Sequence, residues 1–169
     1  MTVEQYEAIE AIVESSGFHV IGRISGSGFL ISNEGAEIRR GVTRDSVDHN
    51  WVVDSAERAE PFVFEFEAPD FDDVLRFLLM EFSHGIRSAL GHAELWLEGD
   101  IPAPGFTLQT NGDRIHVLQH DELRGTFAAG FIGRLGATRF TWLAAHPVDE
   151  LLESYRAADG MPLLGRFVG

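Results

Sequence analysis

The sequence contains no cysteine. Disulfide bonds, thiolate zinc sites and cysteine nucleophiles are therefore excluded. It also contains no lysine, so all 13 positively charged side chains are arginines. The phosphate-binding lysine of P-loop proteins, Schiff-base chemistry and a lysine general base are excluded as well.

Long apolar segments are also absent. No segment approaches the ~18 consecutive apolar residues that are needed to cross a bilayer. The N-terminal MTVEQYEAIE has neither the basic start nor the apolar core of a signal peptide, so we expect a cytoplasmic protein. The formal net charge is −14, and such a chain should be repelled by nucleic acid and by anionic membranes.

The first part of the chain predicts an α+β fold with a mainly antiparallel sheet. Thr2 and Gln5 have the spacing of a capping box, and apolar residues follow at helical spacing. Strand patterns then run consecutively through residues 18–67, with a hairpin turn at Ser25–Gly28. Strands without intervening helices favour antiparallel pairing.

A strongly apolar helix is expected after these strands. Asp70 is a favourable N-cap, and the helix is predicted to run to about His84, where Gly85 either ends it or only interrupts the pattern. Because most of its surface is apolar, the helix should pack against both the sheet and the C-terminal part of the chain. A polar stripe is expected at Asp72, Asp73, Arg76, Ser83 and Arg87.

The sequence predicts two lobes that form one compact unit. The segment GDIPAPG at Gly99–Gly105 has the composition of a linker. It divides an acidic lobe, residues 1–98, from a smaller β-rich lobe, residues 99–169. Residues 1–100 hold 20 acids and 7 arginines, whereas residues 101–169 hold 7 acids and 6 arginines.

The smaller lobe is expected to be a set of strands closed by a helix at residues 147–157. Gly130, Gly133 and Gly136 are interpreted as a flexible connection between two of these strands, with an anion site beside Arg134 and Arg139 as the alternative. The predicted strands are 106–110, 114–119, 123–129 and 139–144.

The acidic segment around a predicted three-stranded meander, Glu37–Glu67, is the strongest functional signal. Between Asp45 and Asp73 there are ten acidic residues and a single basic one, Arg58. In the third strand three phenylalanines, Phe62, Phe64 and Phe66, alternate with Val63, Glu65 and Glu67. This period of two predicts a buried face with the phenylalanines and a solvent-exposed face with the other three residues.

The candidate binding surface consists of two polar loops of this meander, Asp45–His49 and Asp54–Glu60. Carboxylates there would meet arginines or lysines of a partner. Arg58 either pairs with a neighbouring acid or projects into the partner, because a guanidinium can bind carboxylates through two hydrogen bonds. The candidate interface residues are Asp45, Asp48, His49, Asp54, Glu57, Arg58 and Glu60.

No pattern of catalytic residues or metal ligands stands out. His116 and His120 lie in a segment that resembles a strand and a turn, without the helix and glutamate of a zinc hydrolase. Adjacent carboxylates fall at helix starts or turns, where capping explains them. We therefore expect a binding protein with no catalytic activity, metal or cofactor.

Two other classes of function stay open. A hydrolase could use Glu65 and Glu67, which share one strand face and could work as a pair, or it could use a histidine. A non-catalytic module could instead bind a small molecule or a lipid in a pocket between the sheet and the apolar helix at Phe71–Phe82, or it could serve as a protein-interaction module. A stable cavity would favour the second class, because an ordinary core is filled.

Several segments carry a family resemblance that covers nearly all of the chain from Phe18 onward. They are GFHV, FLISNEGAEIRR, WVVDSAERAEPFVFEFEA, VLRFLLMEFSHGIR, DIPAPGFTLQ, the region Leu123–Phe127, and ELLESYRAADGMPL. In their order and spacing they resemble the immunity proteins of the tuberculosis necrotizing toxin type, which neutralise a secreted NAD-cleaving toxin inside the producing cell. Arg40 departs from the pattern, which has an aromatic residue after Arg39.

The resemblance implies a cytoplasmic antitoxin. Its partner would be the catalytic domain of a cognate NAD-glycohydrolase toxin, whose NAD site it would block. The chain is expected to be a monomer before it binds the toxin. An NAD-binding cleft needs positive potential for the pyrophosphate, and an acidic partner could use that potential for fast association.

Overall fold

The computed structural model describes residues 2–24, 28–97 and 99–169, and within them the chain forms four helices and eight strands. The predicted hairpin turn Ser25–Gly28 lies largely outside the described residues. The helices are α1 (Val3–Val13), α2 (Phe71–Ala89), α3 (Phe131–Ala144) and α4 (Val148–Arg156). The strands are β1 (Phe18–Ile24), β2 (Gly28–Asn33), β3 (Ile38–Arg44), β4 (Trp51–Glu57), β5 (Val63–Ala68), β6 (Phe106–Asn111), β7 (Arg114–Gln119) and β8 (Glu122–Ala128).

All eight strands join one antiparallel sheet in the order β1-β2-β3-β4-β5-β8-β7-β6. The predicted α+β class is therefore confirmed. The strands of the two predicted lobes meet where β5 pairs with β8, with Phe66 opposite Phe127 and Glu67 opposite Thr126.

The helices cover one face of the sheet. α1 contacts β1, α2 contacts β4 and β5, and α3 contacts β6, β7 and β8, while α2 also packs against the other three helices. The opposite face carries no helix within the described residues, which is common for antiparallel sheets. No helix of the described chain has the length and hydropathy of a membrane span.

Local capping signals in the sequence are confirmed by the structure. The Thr2 hydroxyl accepts a hydrogen bond from the Gln5 backbone N–H, and the Gln5 side chain accepts one from the Thr2 backbone N–H, which completes the capping box. The Asp70 carboxylate accepts a hydrogen bond from the backbone N–H of Asp72 at the start of α2.

The prediction that α2 ends near His84 is wrong. The helix continues to Ala89, because Gly85 lets it pass close to the end of α1: a Cβ at Gly85 would lie 2.5 Å from the Ser16 carbonyl oxygen. The predicted polar stripe is also wrong for Asp73, Arg76 and Arg87, which are buried. Each of these side chains has polar partners on other elements, and the helical pattern does not encode such partners.

Arg87 shows how such a group is accommodated. Its guanidinium donates hydrogen bonds to the carbonyl oxygens of Ala93, Tyr155, Ala157 and Ala158. Desolvation by burial lowers the pKa of this arginine. The side chain therefore ties α2 to the segment that follows α4.

The predicted strand at 139–144 and the flexible glycine connection before it are both wrong. Residues 131–144 form α3, and Gly133 and Gly136 lie on the side of the helix that faces the sheet. A Cβ at Gly133 would lie 1.7 Å from the Ala128 carbonyl oxygen, and one at Gly136 would lie 3.3 Å from the Phe127 ring. These glycines permit close packing of the helix against the sheet. In the sequence, glycines with this role cannot be distinguished from the glycines of a flexible linker.

A β-bulge breaks the expected alternation in β5. Val53 pairs with Phe66, but the next residue, Asp54, pairs with Phe64, so Glu65 is an extra residue in the strand. Of the three phenylalanines expected on one buried face, Phe66 is fully buried, Phe64 is half-buried and Phe62 is 44% exposed. The prediction of a single buried phenylalanine face is therefore wrong.

Candidate functional site

The two candidate loops lie at opposite ends of β4. Residues 45–50 connect β3 to β4, whereas residues 58–62 connect β4 to β5. Because β4 has seven residues, the loops are separated by about 23 Å along the strand direction. The structure therefore brings together Asp45, Asp48 and His49 at one end and Glu57, Arg58 and Glu60 at the other.

The β3–β4 loop is organised by the Asp45 carboxylate. It accepts hydrogen bonds from the backbone N–H groups of Val47 (2.7 Å) and Asp48 (3.0 Å). These bonds favour the ionised form and lower the pKa of Asp45. The Arg44 side chain donates to the His49 carbonyl oxygen at 3.1 Å, and His49 has a positive φ. Asp45 thus has a structural role, and Asp48 is exposed beside it.

The β4–β5 loop is held by Arg39. The Arg39 guanidinium donates to the carbonyl oxygens of Arg58 and Glu60 and lies 5.2 Å from the centroid of the Phe62 ring. The Arg58 backbone N–H donates to the Glu37 carbonyl oxygen at 2.6 Å. The backbone of this loop is therefore fixed by contacts to β3 and to Glu37, in the loop that precedes β3.

The charged side chains of this loop are available to a partner. Glu57, Arg58 and Glu60 are exposed, and none of them forms an ion pair within the described residues. Arg58 does not pair with Glu57, Glu60 or Asp54, so the folded-back alternative for this side chain is not the one in the structure. The three side chains form a mixed but net acidic surface.

Asp54 belongs to neither loop. It lies within β4, opposite Phe64. Partial burial and the nearby Glu65 carboxylate raise the pKa of Asp54, and the charge of Arg114 opposes this shift. Its carboxylate is therefore a half-buried group of the sheet.

Glu65 and Glu67 have separate partners and do not form a carboxylate pair. Glu65 accepts a hydrogen bond from Arg40 at 3.2 Å, and Arg40 also binds Glu81 on α2 at 2.8 Å. Glu67 accepts a hydrogen bond from the Asn50 amide at 2.6 Å. In the described residues no group of three or more histidine, aspartate or glutamate side chains is arranged to hold a metal ion.

A cavity of about 630 Å³ lies between β5, β8, α2 and α3, and we call it the β8–α3 groove. Its volume is in the range of small-ligand sites. Its walls are mainly apolar, with Glu65, Glu81 and Arg139 as the charged members. A second cavity, of about 740 Å³, lies between α1, α2 and α4, on the far side of α2.

Sequence reasoning missed two exposed apolar residues at the mouth of the β8–α3 groove. Phe131 is 81% exposed and Ile132 is 76% exposed, in the first turn of α3. The interpretation of this segment as a flexible connection concealed them. The signal was present in the helical spacing of Gly133, Ala137, Phe140 and Ala144, which leaves Phe131 on the opposite side of a helix.

The solved structure of Rv3902c from M. tuberculosis matches with a TM-score of 0.76 and 16% sequence identity, over 96% of this chain and 92% of that chain. At this identity the match shows a shared fold. None of the curated proteins matches the sequence. The family model described as Immunity protein 61 matches residues 12–163, so the chain belongs to the Immunity protein 61 family.

Proposed function

We propose that this protein binds the catalytic domain of a cognate NAD-cleaving toxin in the producing cell and blocks its NAD site. Membership of an immunity-protein family establishes the immunity role, and the proposal concerns the kind of toxin. The sequence resemblance to antitoxins of the tuberculosis necrotizing toxin type supports an NAD glycohydrolase. The protein would act in the cytoplasm as a monomer that needs no cofactor and has no catalytic activity of its own.

The observation that carries the proposal is the set of exposed carboxylates on fixed loops. Glu57, the last residue of β4, and Glu60 in the following loop form no ion pair within the described residues, and Arg39 anchors the backbone of that loop. A cleft that binds a pyrophosphate carries positive potential, so preorganised carboxylates would both steer association and pair with its cations. The net charge of −14 acts in the same direction at longer range.

The test is a titration of the toxin's catalytic domain with this protein while NAD consumption is followed. We expect NAD loss to stop near an equimolar ratio, because a specific interface of on the order of 1,600 Å² supports tight binding. A requirement for large excess, or NAD consumption by this protein alone, would contradict the proposal.

A small-ligand function is the second candidate, and the β8–α3 groove is the observation that favours it. The groove is apolar with a few charged side chains, as ligand sites commonly are. Thermal unfolding in the presence of nucleotides, fatty acids and NAD would separate the two candidates. A ligand that raises the melting temperature progressively with the logarithm of its concentration would support this second function.

A further inference from the structure

Four large apolar side chains are exposed at the end of the sheet that carries the β4–β5 loop. Phe62 is 44% exposed, Val63 is 65% exposed, Phe131 is 81% exposed and Ile132 is 76% exposed. We call these four residues the apolar end patch. Contiguous exposed apolar groups of this kind commonly mark interaction sites.

The pairing of β5 with β8 brings the two halves of the patch together. Phe66 lies opposite Phe127 and the two strands are antiparallel, so the start of β5 and the end of β8, which leads into Phe131, lie at the same end of the sheet. Phe64 and Ile132 also line the same β8–α3 groove.

The packing of α3 explains why Phe131 points into solvent. Gly133 lies so close to the Ala128 carbonyl oxygen that this side of the helix is fixed against the end of β8. Phe131 is about 200° around the helix from Gly133, because successive residues are about 100° apart. The exposure of Phe131 is therefore built into the helix–sheet contact.

Two carboxylates that have no ion pair in the described part of the chain adjoin the apolar end patch. Glu57 and Glu60 line one shallow depression together with Phe62 and Val63. The β3–β4 loop at the other end of β4 has Asp48 and, as its exposed apolar residue, Val47 (79% exposed). Within the described residues, the β4–β5 end thus combines more apolar surface with the unpaired charges of Glu57, Glu60 and Arg58, which are acidic in sum.

We propose that the apolar end patch, together with Glu57 and Glu60, is the surface that enters the NAD-binding cleft of the toxin. This inference rests on the proposed function. A cleft that holds NAD must offer cationic groups to the pyrophosphate and apolar walls to the nicotinamide and adenine rings. Carboxylates beside projecting phenylalanine and isoleucine side chains match both requirements. The occupant of the patch is therefore a basic cleft with apolar walls.

The test compares binding of the toxin's catalytic domain to the parent protein and to Phe131→Ala, Ile132→Ala and the double variant. Both side chains are exposed, so unchanged melting temperatures and circular-dichroism spectra are expected. Each substitution should raise the dissociation constant of the complex by ~30-fold if the residue is an interface hot spot. Val47→Ala is the matched control, an exposed apolar residue at the opposite end of β4, and it should leave binding unchanged.

Two further measurements complete the test. Backbone amides of residues 129–133 should gain protection from hydrogen exchange in the complex, and saturating NAD should slow complex formation. If the parent binds the toxin and the double variant binds equally well, the assignment of this surface is overturned while the proposed function stands. If the parent neither binds nor inhibits an NAD-cleaving toxin, the proposed function itself is overturned.

Discussion

Arg124 on β8 binds both carboxylate oxygens of Asp73 on α2, with Nε–Oδ2 and Nη2–Oδ1 distances of 2.9 Å. Asp73 is fully buried, and Arg76 donates to its Oδ1 at 2.9 Å as well. The same two arginines donate to the carbonyl oxygens of Ala144 and His146. One buried carboxylate therefore connects α2, β8 and the end of α3.

Removal of one partner from this network should strongly destabilise the fold. Arg124→Met is expected to lower the free energy of unfolding by about 3 kcal/mol, because it leaves part of a buried negative charge uncompensated. Chemical denaturation provides the measurement. Asp113→Asn is the control, since the Asp113–Arg114 pair is 3.9 Å apart and Asp113 is 92% exposed, and it should change stability by less than about 0.5 kcal/mol. A similar small effect for Arg124→Met would contradict the structural role.

The fit of α3 against β8 can be tested with alanine at its glycines. In an open helix, Gly→Ala stabilises by about 1 kcal/mol. Gly133→Ala should instead destabilise by about 1–3 kcal/mol, because the new Cβ would overlap the Ala128 carbonyl oxygen. Gly136→Ala meets a movable aromatic ring at 3.3 Å and should cost less. Equal stabilisation by the two substitutions would show that the helix lies farther from the sheet.

Asp54 should make stability depend on pH in a defined direction. Because the pKa of Asp54 is raised in the folded state, the folded chain keeps its proton at pH values where the unfolded chain has lost it. The free energy of unfolding should therefore fall as the pH rises above the ordinary value of 3.8.

Asp54→Asn removes this dependence. The variant should be more stable than the parent at pH 7 by about 0.5 kcal/mol, on the scale of half-exposed charges, and the difference should vanish below pH 3.8. Denaturation at a series of pH values checks it. A stability gain from Asp54→Asn that persists in acid would argue against a titration effect.

Charge reversal at the two ends of β4 should separate their contributions to toxin association. Glu57→Arg combined with Glu60→Arg is expected to slow association by about tenfold at low salt and also to speed dissociation, because the two carboxylates steer encounter and pair with cations of the cleft in the complex. The difference should shrink at high ionic strength. Asp48→Arg at the other end should have a smaller effect in the same stopped-flow experiment. Larger slowing by Asp48→Arg would move the interface to the β3–β4 loop.

Local chemistry accounts for the parts of the fold that the sequence predicted. The Thr2 capping box and the Asp70 N-cap depend on residues within three positions, so their patterns are readable. The Asp73–Arg124 pair joins residues 51 positions apart, and no periodic pattern in the sequence predicts it. The helix α3 was missed because glycines that fit a close contact look like glycines that loosen a loop.

The acidic composition of the candidate site could be predicted from the sequence, but the arrangement of its residues on the surface could not. Exposed acids in both loops follow from charge and turn patterns, and the structure places them at the surface. Which of them share one end of the sheet depends on strand direction, which composition does not contain. The location of Val63 and Phe131 at the same end of the sheet depends on the pairing of β5 with β8, whose residues are about 60 positions apart in the chain.

The join between β5 and β8 has a consequence for cooperativity. Its pairing covers Phe66–Phe127 and Glu67–Thr126, whereas β3 and β4 pair from Ile38–Glu57 to Arg44–Trp51. Aromatic packing reinforces this short seam: the Phe66 ring stacks on Phe77 at 4.5 Å and meets Phe127 and Phe140 at 5.0 and 5.2 Å. We therefore expect that aromatic side-chain packing at this seam, more than the backbone hydrogen bonds between β5 and β8, makes strands β1–β5 and strands β6–β8 unfold together. Removal of the Phe66 ring should uncouple the two groups of strands. Their backbone amides should then exchange with solvent as two separate cooperative units, one on each side of the proposed lobe boundary.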